Sequence, residues 1–83
     1  MKYWYAVEVN GLVEQFGVRK ELLVAVGSNC YWPEDKLTAA VRSAVEPGMT
    51  DLQAVLRQRL DGQPCMPSNT YDRVVDLDKA LGI

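Results

Sequence analysis

The sequence predicts one small α+β domain, in which an N-terminal antiparallel β-hairpin or three-stranded sheet packs against two or three short C-terminal helices. Two observations carry this prediction. Apolar side chains alternate with a period of two over residues 2–9, and they recur with helical spacing over residues 33–46 and again over 50–61. The 83 residues fit one domain, residues 1–83, and leave no room for a second.

The first predicted strand has one face of aromatic and β-branched side chains: Tyr3, Tyr5, Val7 and Val9. Trp4 lies on its opposite face. Asn10-Gly11 follows directly, and this dipeptide is the strongest short-range signal for a two-residue hairpin turn. The pattern therefore predicts a second strand over residues 12–18, with Val9 paired with Leu12.

Residues 22–26 form a short apolar run that periodicity alone cannot assign to a helix or a strand. The β-branched content of the run and the turn-forming cluster Gly27-Ser28-Asn29 behind it favour a third, central strand.

The first predicted helix begins at Pro33, a residue suited to the first helical position, and Glu34 and Asp35 complement the positive end of its dipole. Its apolar positions follow helical spacing: Leu37, Ala40, Val41, Ala44 and Val45. Glu46-Pro47-Gly48 then ends the helix.

Two further helices are expected downstream. Thr50 and Gln53 have the spacing of a capping box, which predicts a second helix over residues 50–61. A third helix can begin at Ser68 or Asn69, although residues 71–77 are also compatible with a late strand.

Catalytic and metal-binding chemistry is not indicated. The chain has no histidine, the residue most often used as a general base and as a zinc ligand. Cys30 and Cys65 are its two cysteines, too few and too far apart for a structural metal site. We expect them to be reduced and partly buried rather than joined in a disulfide. The sequence thus predicts no enzyme, no cofactor and no metal.

Charge is nearly balanced and evenly spread, with nine basic and eleven acidic residues and a net charge of −2. No block of like charge indicates a nucleic-acid tail or a membrane-surface patch. No apolar run reaches the length of a signal-peptide core or a membrane span. We therefore expect a cytoplasmic protein that does not contact membranes, and nucleic acid is a disfavoured partner.

Residues 12–26 nevertheless support a second hypothesis, because a glycine is flanked by apolar anchors on both sides: Leu12, Phe16, Gly17, Val18, Leu23 and Val26. This segment resembles the helix-turn-helix pattern of bacterial regulators. The resemblance implies a DNA-binding regulator that contacts DNA through Arg19 and Lys20. The hairpin is preferred, because residues 22–26 would make the recognition helix apolar where base readout needs polar side chains.

Five of the seven aromatic residues lie in two short segments: Tyr3, Trp4, Tyr5, Tyr31 and Trp32. Alternation directs Tyr3 and Tyr5 to the core and leaves Trp4 on the other face of the strand. Because tryptophan and tyrosine are favoured as interface anchors, we take Trp4, Tyr31 and Trp32 as candidate partner-binding residues. Trp32 also has the position of a hydrophobic staple onto the helix that follows it.

The expected function is that of a non-enzymatic protein-binding module that modulates or inhibits a larger protein or complex. Small inhibitors or adaptors encoded by phages or mobile elements fit this description. Homodimerisation and a role as a structural subunit of an oligomeric assembly stay open as alternatives.

Overall fold

A computed structural model of the chain describes residues 2–13, 19–48, 51–61 and 70–83. Within these ranges the elements follow in the order β1 (Tyr3–Val13), β2 (Arg19–Ser28), α1 (Glu34–Val45), β3 (Gln53–Asp61), β4 (Arg73–Asp76) and α2 (Leu77–Leu81). The strands form one mixed sheet in the order β3-β1-β2-β4. β1 is antiparallel to β2 and β3, whereas β2 is parallel to β4. The predicted α+β class is therefore confirmed.

Both helices pack on the same face of the sheet, called here the helix face. The core between them is made of buried apolar side chains: Tyr5, Val7, Val9, Leu22, Val24, Val26, Leu37, Val41, Val45, Leu52 and Leu77. Each fully buried side chain of this size stabilises the fold by about 1.5–3 kcal/mol. Alternation in β1 assigns Tyr3, Tyr5, Val7 and Val9 to the core. Tyr5, Val7 and Val9 are buried there, and Tyr3 packs against them.

The other side of the sheet, called here the second face, carries a smaller apolar cluster. Ala6, Ala25 and Tyr71 are buried in it, and Trp4 and Leu23 pack against them. The small side chains of the two alanines let the Tyr71 ring lie close to the sheet.

Asn10 and Gly11 lie inside β1, so the predicted two-residue turn is wrong. Val9 pairs with Leu22 rather than with Leu12, and a β-bulge follows it. Gly11 has a φ of 101°, a conformation that glycine adopts readily and that one type of β-bulge uses as turns do. The predicted turn needs a positive φ at both residues of the dipeptide; Gly11 has one, whereas Asn10 does not. The connection between β1 and β2, residues 14–18, lies outside the described residues.

Residues 22–26 lie in the middle of β2, which confirms the prediction of a central strand. The same strand includes Arg19 and Lys20. The helix-turn-helix hypothesis requires helix over residues 12–26, and this is wrong for residues 12–13 and 19–26, which are strand; residues 14–18 lie outside the described residues. The apolar run is buried on both faces of the sheet, which explains why it lacks the polar side chains of a recognition helix.

The helix predicted after Pro33 is confirmed. α1 covers Glu34–Val45, with Pro33 as its N-cap residue rather than its first helical residue, and it stops before Pro47 as expected. Three of the five predicted apolar positions are buried: Leu37, Val41 and Val45.

Residues 53–61 form β3, so the second predicted helix is wrong. β3 pairs antiparallel with β1 along its length. This pairing satisfies backbone groups on one side of the strand, and such long-range contacts override a local capping signal. Thr50, the expected capping residue, lies outside the described residues.

β3 contains a bulge in the middle of its apolar pattern. Leu56 and Gln58 pair with consecutive residues of β1, so Arg57 between them is an extra residue. The extra residue reverses the alternation: Leu56 pairs on the helix face, whereas Leu60 pairs on the second face. The two leucines therefore keep a helical spacing of four without sharing a face.

The C-terminal segment contains both a strand and a helix, so each alternative for residues 71–77 holds in part. β4 covers Arg73–Asp76, and α2 begins at Leu77 rather than near Ser68 or Asn69, which lie outside the described residues. The Asp76 side chain caps α2 by accepting a hydrogen bond from the Lys79 amide at 3.1 Å.

Candidate functional site

The loop between β2 and α1 contains two of the three predicted partner-binding residues, and a buried serine fixes its start. Ser28 ends β2 and has no exposed surface. Its hydroxyl donates to Asp78 Oδ1 at 2.6 Å, and it accepts from the Cys30 amide at 3.1 Å and from the Trp32 indole Nε1 at 3.0 Å. A hydroxyl has one donor and two acceptor sites, so all three hydrogen-bonding sites of the Ser28 hydroxyl are used to hold this loop.

Asp78 connects the loop to α2. Its second oxygen, Oδ2, accepts from the Asn29 amide at 2.9 Å. The hydrogen bond from Ser28, and next the one from the Asn29 backbone, lower the pKa of the Asp78 carboxyl below its ordinary value. The carboxylate thus stays ionised and retains both bonds under neutral conditions.

Trp32 anchors the other end of the loop. It is half-buried and packs against the core on the helix face. Its backbone amide donates to the Tyr5 hydroxyl at 3.1 Å, and its carbonyl accepts from Arg59 Nη1 at 2.9 Å. Trp32 therefore positions its neighbours, and little of its own ring is free for a partner.

Tyr31 is the residue that this anchored loop presents. Its side chain is 60% exposed. The Arg59 guanidinium lies 4.8 Å from the centre of the Tyr31 ring and 5.3 Å from that of Tyr5. The Tyr3 ring meets the Tyr31 ring edge to face, with the ring centres 5.9 Å apart. We call Tyr3, Tyr31 and Arg59 together the Tyr31 surface.

The Tyr31 surface combines apolar contact area with hydrogen-bond donors. Tyrosine rings offer apolar area with a polar tip, and a guanidinium offers several donors for a carboxylate or a carbonyl group. Cation–π contacts of this kind contribute about 0.5–1 kcal/mol at exposed sites, which restrains Tyr31 without removing it from solvent. Within the described ranges, no group of three or more metal-ligating side chains lies close enough together to hold an ion.

Trp4, the third predicted residue, is not part of this site. It lies on the second face of the sheet and packs on the cluster around Tyr71. In the part of the chain that the structure describes, its indole Nε1 is buried without a hydrogen-bond partner. The structure therefore brings Tyr31 and Trp32 together and places Trp4 on the other side.

Sequence reasoning missed Arg59 and Asp78. Arg59 fell inside a predicted helix, and Asp78 carries no local pattern that indicates a contact 50 residues away. Cys30, expected to be partly buried, is exposed beside Tyr31, because its backbone amide and not its side chain faces Ser28. Cys65 lies outside the described residues.

None of the helices in the described ranges has both the length and the apolar character needed to cross a membrane. Comparisons with family models, with curated proteins and with solved structures found no match to this chain.

Proposed function

We propose that the chain is a non-enzymatic protein-binding module that modulates or inhibits a larger protein in the cytoplasm, and that it makes this contact through the Tyr31 surface. One observation carries the proposal: an aromatic side chain that is 60% exposed is held by a cation, a second ring and an anchored loop. Ordering a side chain on binding costs about 0.5–1.5 kcal/mol. A ring that is already restrained avoids much of this cost.

The composition of the surface supports a protein partner. Tyrosine and arginine are over-represented among the residues that dominate binding energy at protein interfaces. The absence of histidine from the whole sequence supports the non-enzymatic part of the proposal.

Photo-crosslinking from position 31 tests the proposal in the cells that produce the chain. A benzoylphenylalanine at position 31 should form a covalent adduct with a partner protein. The matched control is position 74, because Val74 is equally exposed, at 60%, but lies on β4, away from the loop. We expect an adduct from position 31 and none from position 74.

The partner identified in this way allows a quantitative check. Tyr31→Ala should weaken its binding at least tenfold, equivalent to a loss of about 1.4 kcal/mol, while Tyr31→Phe retains most of the affinity and Val74→Ala all of it. Equal affinities for Tyr31→Ala and the unaltered chain would refute the role of the Tyr31 surface. Adducts only between copies of the chain would favour the structural-subunit alternative instead.

A further inference from the structure

β3 is an edge strand of the sheet. Among the described residues, only β1 pairs with it, along one side. Edge strands are commonly protected by being short, by charged side chains, by proline or by a β-bulge. β3 is nine residues long and has no proline, and its protective features are Arg57, Arg59 and the bulge at Arg57, whereas β4 at the opposite edge has only four residues.

A groove runs beside this edge. It has a volume of about 520 Å³ and lies between the first turns of α1 and β3, lined by Glu34, Asp35, Thr38, Ala54 and Val55. The Thr38 hydroxyl is occupied by the carbonyls of its own helix. The groove is shallow and open, with Ala54 and Val55 of β3 on one side and, on the α1 side, two carboxylates as its free polar groups.

The groove carboxylates complement the positive end of the α1 dipole but form no ion pair within the described part of the chain. None of its basic side chains forms an ion pair with Glu34 or Asp35. Arg57, the nearest cation on β3 by sequence, pairs with Glu8. A cation from outside the described residues would complement these carboxylates.

The groove and the Tyr31 surface lie along the same edge. Arg59 belongs to β3, five residues beyond Ala54, a distance of about 17 Å at the usual rise of a strand. The loop before α1 lies beside Arg59, through the bond from Arg59 to the Trp32 carbonyl. One extended segment of six to eight residues is long enough to contact both regions.

We propose that the partner of the Tyr31 surface supplies an extended segment that adds to the outer edge of β3 as a further strand, with a lysine or arginine side chain over Glu34 and Asp35. This mode of recognition, β-strand addition, combines backbone hydrogen bonds with side-chain pockets. The inference rests on the proposed function, since it names the class of partner for the same surface.

A second copy of the chain fits the edge less well. Antiparallel pairing of two β3 strands around Val55 would bring the acidic groove walls of both copies together. Four carboxylates of the two α1 helices would then lie near one another, and like charges repel. Charge therefore favours a basic segment from another protein.

The test uses an eight-residue peptide of alternating valine and lysine, capped at both ends, titrated into the isotope-labelled chain. We expect amide shifts concentrated in residues 53–61 and 31–38. A valine–glutamate peptide should bind at least tenfold more weakly, and N-methylation of alternate residues in the lysine peptide should abolish binding by removing its strand-pairing donors.

Variants of the chain locate the contact. Glu34→Gln combined with Asp35→Asn should weaken binding of the lysine peptide about fivefold at low salt, consistent with two exposed ion pairs. Glu21→Gln, an exposed carboxylate on β2, is the matched control and should leave the affinity unchanged. Thermal unfolding of each variant verifies that α1 persists.

Absence of shifts in β3 at millimolar peptide, or equal affinity for the two peptides, would overturn strand addition. Concentration-dependent shifts of β3 without peptide would overturn it in favour of self-pairing. Either result leaves the proposed function intact if Tyr31→Ala still weakens binding of the natural partner. If the peptide binds β3 but Tyr31→Ala leaves the natural partner unaffected, the proposed function fails and the edge retains only a peptide site.

Discussion

Ser28 shows how much of the candidate site depends on a single small residue. A buried hydroxyl is tolerated when its hydrogen bonds are satisfied, and this one joins the end of β2 to α2 and to the Trp32 indole. Its sequence context, Gly27-Ser28-Asn29, predicts only a turn. Replacement of the hydroxyl would leave several polar groups without their partner, at a cost of about 1–3 kcal/mol each when such groups are buried.

The Asp78 carboxylate makes stability depend on pH. Its pKa is lower in the folded chain because of the bonds from Ser28 and Asn29. Such a group stabilises the fold above the unfolded pKa, about 3.9, and this contribution is lost as the pH falls through the folded value. We expect Asp78→Asn to reduce the free energy of unfolding at pH 7, and the difference from the unaltered chain to shrink from about pH 5 downward.

Urea denaturation at a series of pH values measures this difference. Ser28→Ala serves as the comparison, because removal of the largest cause of the shift should flatten the same acid-dependent part of the curve. Parallel stability curves for the unaltered chain and Asp78→Asn between pH 7 and pH 2 would contradict the assignment.

At the scale of the element, local sequence patterns predicted the conformation of a segment better than they predicted which strand it pairs with. The helical spacing of residues 33–46 predicted α1 because one apolar face suffices to define a helix. The same reasoning failed for β3, because a spacing of four is compatible with a strand as well as a helix, and the pairing with β1 that decides between them is not a local signal. Asn10-Gly11 likewise indicated a positive φ at Gly11 but could not indicate that β1 continues beyond it.

Gly11 offers a test of the bulge in β1. A Cβ at this position would lie 3.1 Å from the Asp51 carbonyl oxygen, in addition to the strain of a φ of 101°. We expect Gly11→Ala to lower the free energy of unfolding by about 1–3 kcal/mol, measured by urea denaturation.

Gly48→Ala is the matched control, because Gly48 has a similar φ of 88° but nothing within 4 Å of the added carbon. Its loss of stability reports backbone strain alone and should be the smaller of the two. Equal losses would mean that the segment at Asp51 moves aside without cost, so that the close approach contributes nothing.

At the scale of the whole molecule, the C-terminal segment completes both the sheet and the core. β4 pairs with β2 across about fifty residues of sequence, and α2 adds Leu77 to the core on the helix face. A parallel pairing of this kind leaves no local signal, so the strand order β3-β1-β2-β4 could not be predicted. The site was predictable only where aromatics cluster in sequence, at Tyr31 and Trp32, and not where Arg59 and Asp78 reach it from distant elements.

Substitution of Leu77 measures how much the packing of α2 on the core contributes to stability. It is fully buried, and Leu77→Ala should destabilise the chain by about 2–5 kcal/mol through lost burial and the cavity left behind. Leu81→Ala in the same helix should cost clearly less than Leu77→Ala, because Leu81 is 37% exposed and loses less apolar burial. Thermal and urea denaturation compare the two; similar losses would show that α2 contributes through helix formation rather than through Leu77.

The bonds from Asp78 to Ser28 and Asn29 also set the time at which the Tyr31 surface becomes available during synthesis. β1 and β2 are neighbours in sequence and can pair early on the ribosome, but the loop behind them lacks its carboxylate clamp until Asp78 has left the exit tunnel. A nascent or truncated chain that stops before this residue therefore carries the recognition residues without their fixed arrangement. Under the proposed function, the Tyr31 surface is therefore arranged for binding only in chains that include Asp78.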